Sequence, residues 1–222
     1  MREWLKKARS TLRAVTAFTR LTPLTPISAL ATLACAAGIA CTAVGGAQAH
    51  EVAKTVCGPC HGVDGNNAVP LFPRLAGIQA EYITKQLQDY LSGKRKSEVM
   101  APTVSNLKAD DIPQLAAYFA AQKPAAGTPA EDAQLAAAGK ALYDDGNTGS
   151  GVPACVGCHQ EGGAGNARYP RVAGQHAAYT TAQMLAFKKG ERTNDRARVM
   201  RAVAERMTEQ EIQAVSAWLA SL

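Results

Sequence analysis

Two short segments of the 222-residue chain carry the same reactive side chains in the same order, Cys57-Gly58-Pro59-Cys60-His61 and Cys155-Val156-Gly157-Cys158-His159. Two thiols at this spacing near a helix end suit a redox dithiol or half of a zinc site, and a lone C-x-x-C would leave that choice open. The histidine after each pair separates the readings. In covalent haem attachment the two thiols bond to the vinyl groups, and the next residue brings its imidazole to the iron. The chain has six cysteines, and the remaining two, Cys35 and Cys41, lie in an apolar N-terminal stretch, so none is left over in the body. The pattern predicts two covalently bound haem c groups, with Cys57, Cys60, Cys155 and Cys158 as attachment points and His61 and His159 on iron.

The motifs sit in a repeat. Pro73-Arg74-Leu75-Ala76-Gly77 follows the first, and Pro170-Arg171-Val172-Ala173-Gly174 follows the second, an offset of 97 residues. That offset runs on through Tyr82 and Tyr179, Gln86 and Gln183, Gly93 and Gly190, and Arg95 and Arg192. It then becomes 100 for Met100 and Met200, Ile112 and Ile212, and Tyr118 and Trp218, so three residues have entered one loop of the second copy. Each copy is expected to form one haem domain.

The repeat also selects a sixth ligand for each iron. Between residues 50 and 123 the only methionine is Met100, and the only histidine outside the motif is His50. The second copy has Met184, Met200 and Met207, but Met184 aligns with Leu87 and Met207 with Leu107, positions where the sister copy uses a plain core residue. Only Met200 has a methionine counterpart. Met100 and Met200 are the expected thioether ligands, with an open or His-ligated site as the alternative. His176, which replaces Gln79, is expected to cap or decorate a helix start rather than compete for iron. Arg74 and Arg171, placed alike in the two copies, either pair with haem propionates or face water, and the need of buried carboxylates for partners favours the propionates.

These residues require helices to hold them. Ala80 to Ser92 carries Tyr82, Ile83, Leu87 and Leu91 at helical spacing, and Ala177 to Lys189 repeats the pattern. Asp110 to Gln122 and Thr208 to Leu222 read as closing helices, with Asp110 and Thr208 as N-caps. Alternating strand patterns are missing, so the fold class is all-α. Each domain is small and poor in aromatics, and a macrocycle at its centre would supply the missing apolar core.

The formal charge of +6 invites a nucleic-acid reading, which its distribution removes. Residues 1–49 hold six of the 24 bases and one of the 18 acids, which leaves 18 bases against 17 acids in the body. A basic opening, an uncharged Ala-rich run from Pro26, and Ala47-Gln48-Ala49 at its end have the form of an export signal cleaved after Ala49. An uncleaved membrane anchor is the alternative. The expected organisation is residues 1–49 as signal peptide, 50–123 as first domain, 124–131 as a Pro/Ala/Gly-rich linker, and 132–222 as second domain. Lys188 to Arg206 is locally basic and is read as a solvated loop or as a docking face for an acidic partner.

Tandem C-x-x-C-H domains, each with P-R-[LV]-A-G, a later Tyr and Gln, and a Met before a short closing helix, resemble the dihaem cytochrome c4 family over residues 50–222. The resemblance implies two tandem class I cytochrome c domains, a periplasmic location, and electron carriage from a quinol-oxidising complex (quinol-cytochrome c reductase) to a terminal oxidase, with association at the membrane surface. It also implies that the carbonyls of Pro73 and Pro170 accept hydrogen bonds from His61 and His159. Members usually have a full helix before the first motif. Here Asp132 to Tyr143 provides one in the second domain, whereas cleavage after Ala49 leaves only His50 to Val56 in the first. With both axial positions filled by protein, no small-molecule substrate reaches the iron, and the expectation is a carrier rather than an enzyme. The rivals are a dihaem subunit of a dehydrogenase such as a sulfide-oxidising flavocytochrome, and a dihaem peroxidase, which needs an open iron.

Overall fold

A computed structural model describes residues 49–222; the expected export segment, with Cys35 and Cys41, lies outside them but for Ala49. The described chain is helical, and its one β contact is an isolated bridge between Asn147 and Val152. Residues 49–52 form a helical turn that passes through a π-helical stretch, Ala53–Cys57, directly into the motif helix α1, Gly58–His61. The first domain continues with α2 (Ala80–Leu91), α3 (Met100–Val104) and α4 (Asp111–Ala120). The second comprises α5 (Ala133–Asp145), α6 (Val156–His159), α7 (Ala177–Lys188), α8 (Val199–Arg206) and α9 (Glu209–Ala220). The methionine-bearing helices α3 and α8 are short elements that the sequence pattern did not announce.

Each domain packs its closing helix against its long central helix, α4 on α2 and α9 on α7. In the first, Ala49, Ala53, Ile78, Ile83, Leu115, Ala116 and Phe119 form the core. Ala49 is therefore buried in the domain, at the position where the leader was expected to end. In the second, α5 lies along α9, and the core is heavier: Leu142, Tyr143, Val152, Met207, Ile212, Val215, Trp218 and Leu219. The close approach of α5 to α9 needs Gly139, because a Cβ there would lie 2.0 Å from the Ala214 carbonyl oxygen. Asp132 caps α5, its carboxylate accepting from the amides of Gln134 and Leu135, both at 2.9 Å. Thr208 caps α9 in a reciprocal box with Glu211.

Asp110, by contrast, makes no capping bond. Its backbone is already helical (φ −74°, ψ −20°), which turns the side chain away from the amides it would cap; Asp111 instead accepts from the Lys108 amide at 3.1 Å. The segment between the domains is tied at both ends. Asn66 donates to the Lys123 carbonyl and accepts from the Ala125 amide, while the Thr128 amide donates to the Ala220 carbonyl at 2.7 Å. Among the described residues, no helix is long and apolar enough to cross a membrane.

Candidate functional site

In the first domain Cys57, Cys60, His61, Pro73 and Met100 line one cavity of about 800 Å³, within the range of cofactor pockets. The motif helix is one turn long, so it presents both thiols and the imidazole at one place, and the tight loop after it returns the chain to the Pro73 segment. The carbonyl of Gly65 accepts from the amides of Leu75 and Ala76 at 2.8 and 3.2 Å. Gly65 has φ +78°, and a Cβ there would lie 2.7 Å from the Ala76 nitrogen. The second domain repeats the device, with Gly163 accepting from Val172 and Ala173 at 2.9 and 3.1 Å.

This docking brings a carbonyl to each motif histidine. His61 Nδ1 lies 2.8 Å from Pro73 O, and His159 Nδ1 lies 2.9 Å from Pro170 O. A carbonyl can only accept, so each Nδ1 carries the proton and each Nε2 keeps its lone pair for a metal. Burial lowers the pKa of both imidazoles and outweighs the opposing hydrogen bond. It also pushes the Cys57 and Cys155 thiols up to about 11, so both remain protonated.

The methionines separate by environment. Met207 is 1% exposed inside the second core, and Met184 packs against that core. Met100 lines the first cavity, and Met200 is a half-buried residue at the start of α8.

The paired arginines diverge. Arg74 is committed to the seam between the domains: its Nη1 donates to Gly174 O at 2.9 Å and Ala126 O at 3.3 Å, and its Nε to Asn67 O at 3.4 Å. Arg171 Nε is buried without a partner. His176 stands at the start of α7 without capping it, and its Nε2 lies 3.2 Å from Asn67 O in the other domain. The basic run is largely occupied too. Lys188 donates to the carbonyl oxygens of Glu205 and Met207, Arg201 pairs with Asp195, and Arg198 pairs with Glu205.

The seam also contains a set of residues that the sequence marked only as repeat positions. Arg95 Nη1 donates to Gln86 Oε1 at 2.7 Å, and its Nη2 crosses to Tyr179 Oη at 3.0 Å and Gln183 Oε1 at 2.8 Å. Arg192 mirrors it, Nη1 reaching Gln183 Oε1 at 2.8 Å and Nη2 crossing to Tyr82 Oη at 2.9 Å. Each guanidinium also lies over an aromatic ring at matching positions, Tyr90 at 4.8 Å and Phe187 at 4.4 Å. Burial would raise the Tyr82 hydroxyl, but the charges of Arg192 and Arg95 outweigh it and hold its pKa below the ordinary value. The three extra residues of the second copy fall beside this network. There Asn194 Nδ2 donates to Asp89 Oδ2 at 2.6 Å and Gln86 Oε1 at 2.9 Å.

The donor set fits covalent haem in both copies: a free thiol pair, an imidazole with a fixed free Nε2, and in the second copy an orphaned buried Nε that needs an anion. The cytochrome c family model matches residues 47–123 and again 136–222, so the fold is two cytochrome c domains in tandem, carrying two covalent haem c groups. Cytochrome c4 of Azotobacter vinelandii is 43% identical over 192 residues, covering 81% of this chain and 90% of that one. The crystal structure of reduced recombinant cytochrome c4 from Pseudomonas stutzeri superposes with a TM-score of 0.74 at 41% identity, covering 81% of this chain and 97% of that one. A thiosulfate dehydrogenase electron acceptor of Thiomonas intermedia is 39% identical, covering 74% of this chain and 77% of its own length. The chain belongs to the cytochrome c4 family of dihaem electron carriers.

Proposed function

We propose that the protein is a periplasmic carrier that takes electrons from a quinol-oxidising complex and delivers them to a terminal oxidase, with residues 1–49 directing export and 50–123 and 132–222 forming the two haem domains. Bound at these sites, the haem irons supply reversible one-electron chemistry between Fe(III) and Fe(II). The remaining work belongs to the chain. His61 and Met100 in the first domain, and His159 and Met200 in the second, would ligate the irons and leave no position for a substrate. Pro73 and Pro170 orient the imidazoles, and Arg171 pairs with a propionate. Arg95 is 7% exposed and has only neutral partners in the protein, so it too is suited to a propionate at the seam.

The observation that carries this reading is that the first cavity is lined both by His61, whose Nε2 is left free by the bond to Pro73, and by Met100, the methionine with a counterpart in the second copy. A spectroscopic redox titration of the exported protein, combined with its intact mass, tests it. Two haems per chain, both at high potential and both with the red ferric charge-transfer band of methionine ligation, are expected. One haem without that band that binds cyanide rapidly would overturn the carrier reading. The likeness to a thiosulfate dehydrogenase electron acceptor favours a second reading, an electron-accepting partner of a sulfur-compound dehydrogenase. Copurification with a catalytic subunit in fixed ratio would establish it in place of the first.

A further inference from the structure

Each motif histidine bonds a peptide group whose other polar end is held by the opposite domain. The carbonyl that lies 2.8 Å from His61 Nδ1 and the amide of Arg74 belong to one planar unit, the peptide between Pro73 and Arg74. That amide donates across the seam to Gln175 Oε1 at 3.0 Å, and Gln175 Nε2 donates back to the Arg74 carbonyl at 3.0 Å. The second domain shows the same relay in the reverse direction. His159 Nδ1 bonds Pro170 O at 2.9 Å, and the Arg171 amide of that peptide donates to Gln79 Oε1 at 2.6 Å.

The repeat does not explain this symmetry. At the 97-residue offset Gln79 aligns with His176 and Gln175 with Ile78, so the two glutamines are not matched positions. A contact left over from duplication would use matched residues; this one is present in both directions without them. Helix capping does not explain it either. Gln79 stands at the N-cap of α2 and makes no side-chain capping bond, and its Nε2 donates to Ala164 O in the other domain at 3.0 Å. Gln175 is 9% exposed, with both ends of its amide on Arg74.

A peptide whose N–H is accepted by another group is polarised, and its carbonyl becomes a stronger acceptor. That carbonyl then draws the Nδ1 proton further, which makes Nε2 a better donor to iron and favours Fe(III). We propose, resting on the reading of His61 and His159 as iron ligands, that Gln175 and Gln79 are crossed positioning residues, each lowering the potential of the haem in the domain to which it does not belong. Docking of the domains is thereby part of the tuning of both redox centres.

The test is a redox titration of the two-haem protein followed by NMR, with the haem methyl resonances telling the two centres apart. In Gln175→Leu the Fe(II)/Fe(III) ratio of the first haem at a fixed ambient potential should rise about twofold, and that of the second should not move. Gln79→Leu should do the opposite, raising the second and leaving the first. The His61 Nδ1 proton of the reduced protein gives a second readout, and it should move upfield in Gln175→Leu as its bond weakens. Gln175→Glu, a stronger acceptor at the same place, should shift the first ratio toward Fe(III), whereas a merely loosened seam would move both substitutions one way. A glutamine that tunes its own domain's haem, an equal change at both haems, or no change in ratio and proton resonance overturns the proposal. Failure of the underlying readings shows in the wild-type protein instead: a motif histidine without a hydrogen-bonded Nδ1 proton removes the ligand, and a haem that binds cyanide rapidly removes the carrier.

Discussion

The two domains share the motif cysteines and histidines, the proline carbonyls that the histidines bond, and a matched methionine, and differ in much of what holds those side chains. The second opens with a capped helix, α5, pressed on α9 through Gly139, and closes with a capping box. The first passes straight from a π-helical stretch into its motif, and its closing helix has no side-chain cap. The aromatic packing follows the same division. Tyr143 is fully buried against Trp218, ring centroids 4.5 Å apart, whereas Tyr118 is half-buried and turns its hydroxyl out to Val63 O. Duplication has kept these residues fixed while the supports diverged, so the second domain is the better-stapled body and the first the one that exposes apolar surface around its site.

If the chemistry is equivalent in the two copies, the two methionines proposed as iron ligands give the largest effect. Met100→Ala and Met200→Ala should each lower one potential by on the order of a few hundred millivolts and remove one domain's share of the ferric charge-transfer band, leaving the other intact. Met207→Leu, at a buried core position, should change stability and leave both potentials in place. A loss of both bands from either single variant would show that the domains are not independent sites.

The seam tests independence in a second way. Arg95→Met should cost about 2 kcal/mol in denaturant unfolding, since three hydrogen bonds from a buried charge are lost. Arg192→Met, at a half-buried position, should cost about 1 kcal/mol. The double variant should cost more than the two combined, because Gln183 Oε1 accepts from both guanidiniums and is left without a donor only when both are gone. Simple additivity would mean that the two halves of the network do not communicate.

What could be read from the sequence divides along the same line. The C-x-x-C-H pairs, the repeat offset and the long amphipathic helices are local or periodic signals, and they led to the all-helical tandem fold and both haems. Tyr82, Gln86 and Arg95 were visible as matched positions, but a match does not say that each arginine crosses to the tyrosine of the other copy. That follows from the way the domains face each other, which no single copy encodes. The three-residue insertion was countable, yet its effect, Asn194 reaching Asp89, depends on a helix more than a hundred residues away. Asp110 misled because capping is decided by backbone angles, and the partners of the basic run at Lys188 to Arg206, carbonyl ends and acids within the fold, were not legible in its composition.

The caps give a smaller contrast. Thr208→Ala should cost about 1 kcal/mol, while Asp110→Ala should stay within about 0.5 kcal/mol of wild type. The amide and hydroxyl of Thr208 and the Asn147 amide hold Glu211 below its ordinary value of 4.5, so the folded state binds its proton more weakly than the unfolded chain. Its contribution is complete above pH 4.5 and is lost as the pH falls through the folded value. The stability gap between wild type and Glu211→Gln should therefore be flat at neutral pH and close in acid; a gap that persists unchanged in acid would show that the carboxylate charge is not what the box uses.

The smallest expected effect reaches the iron through one carbonyl. Pro73 O accepts from two donors, His61 Nδ1 at 2.8 Å and Asn67 Nδ2 at 3.1 Å. In the second domain Gly165 occupies the place of Asn67, its amide donating to the His159 carbonyl as that of Asn67 donates to His61, and Pro170 O serves His159 alone. A carbonyl shared by two donors pulls less on each. Asn67→Gly should strengthen the His61 bond, make its imidazole a better donor to iron, favour the ferric state, and lower the first potential by about 30 mV, or about 0.7 kcal/mol for one electron. The second potential should not move. If both fall together, Asn67 acts through its contact with His176 across the seam rather than through Pro73. The reverse exchange is closed, because Gly165 has φ +71° and a Cβ there would lie 2.2 Å from the Arg171 nitrogen, so only the first domain can be converted to the pattern of the second.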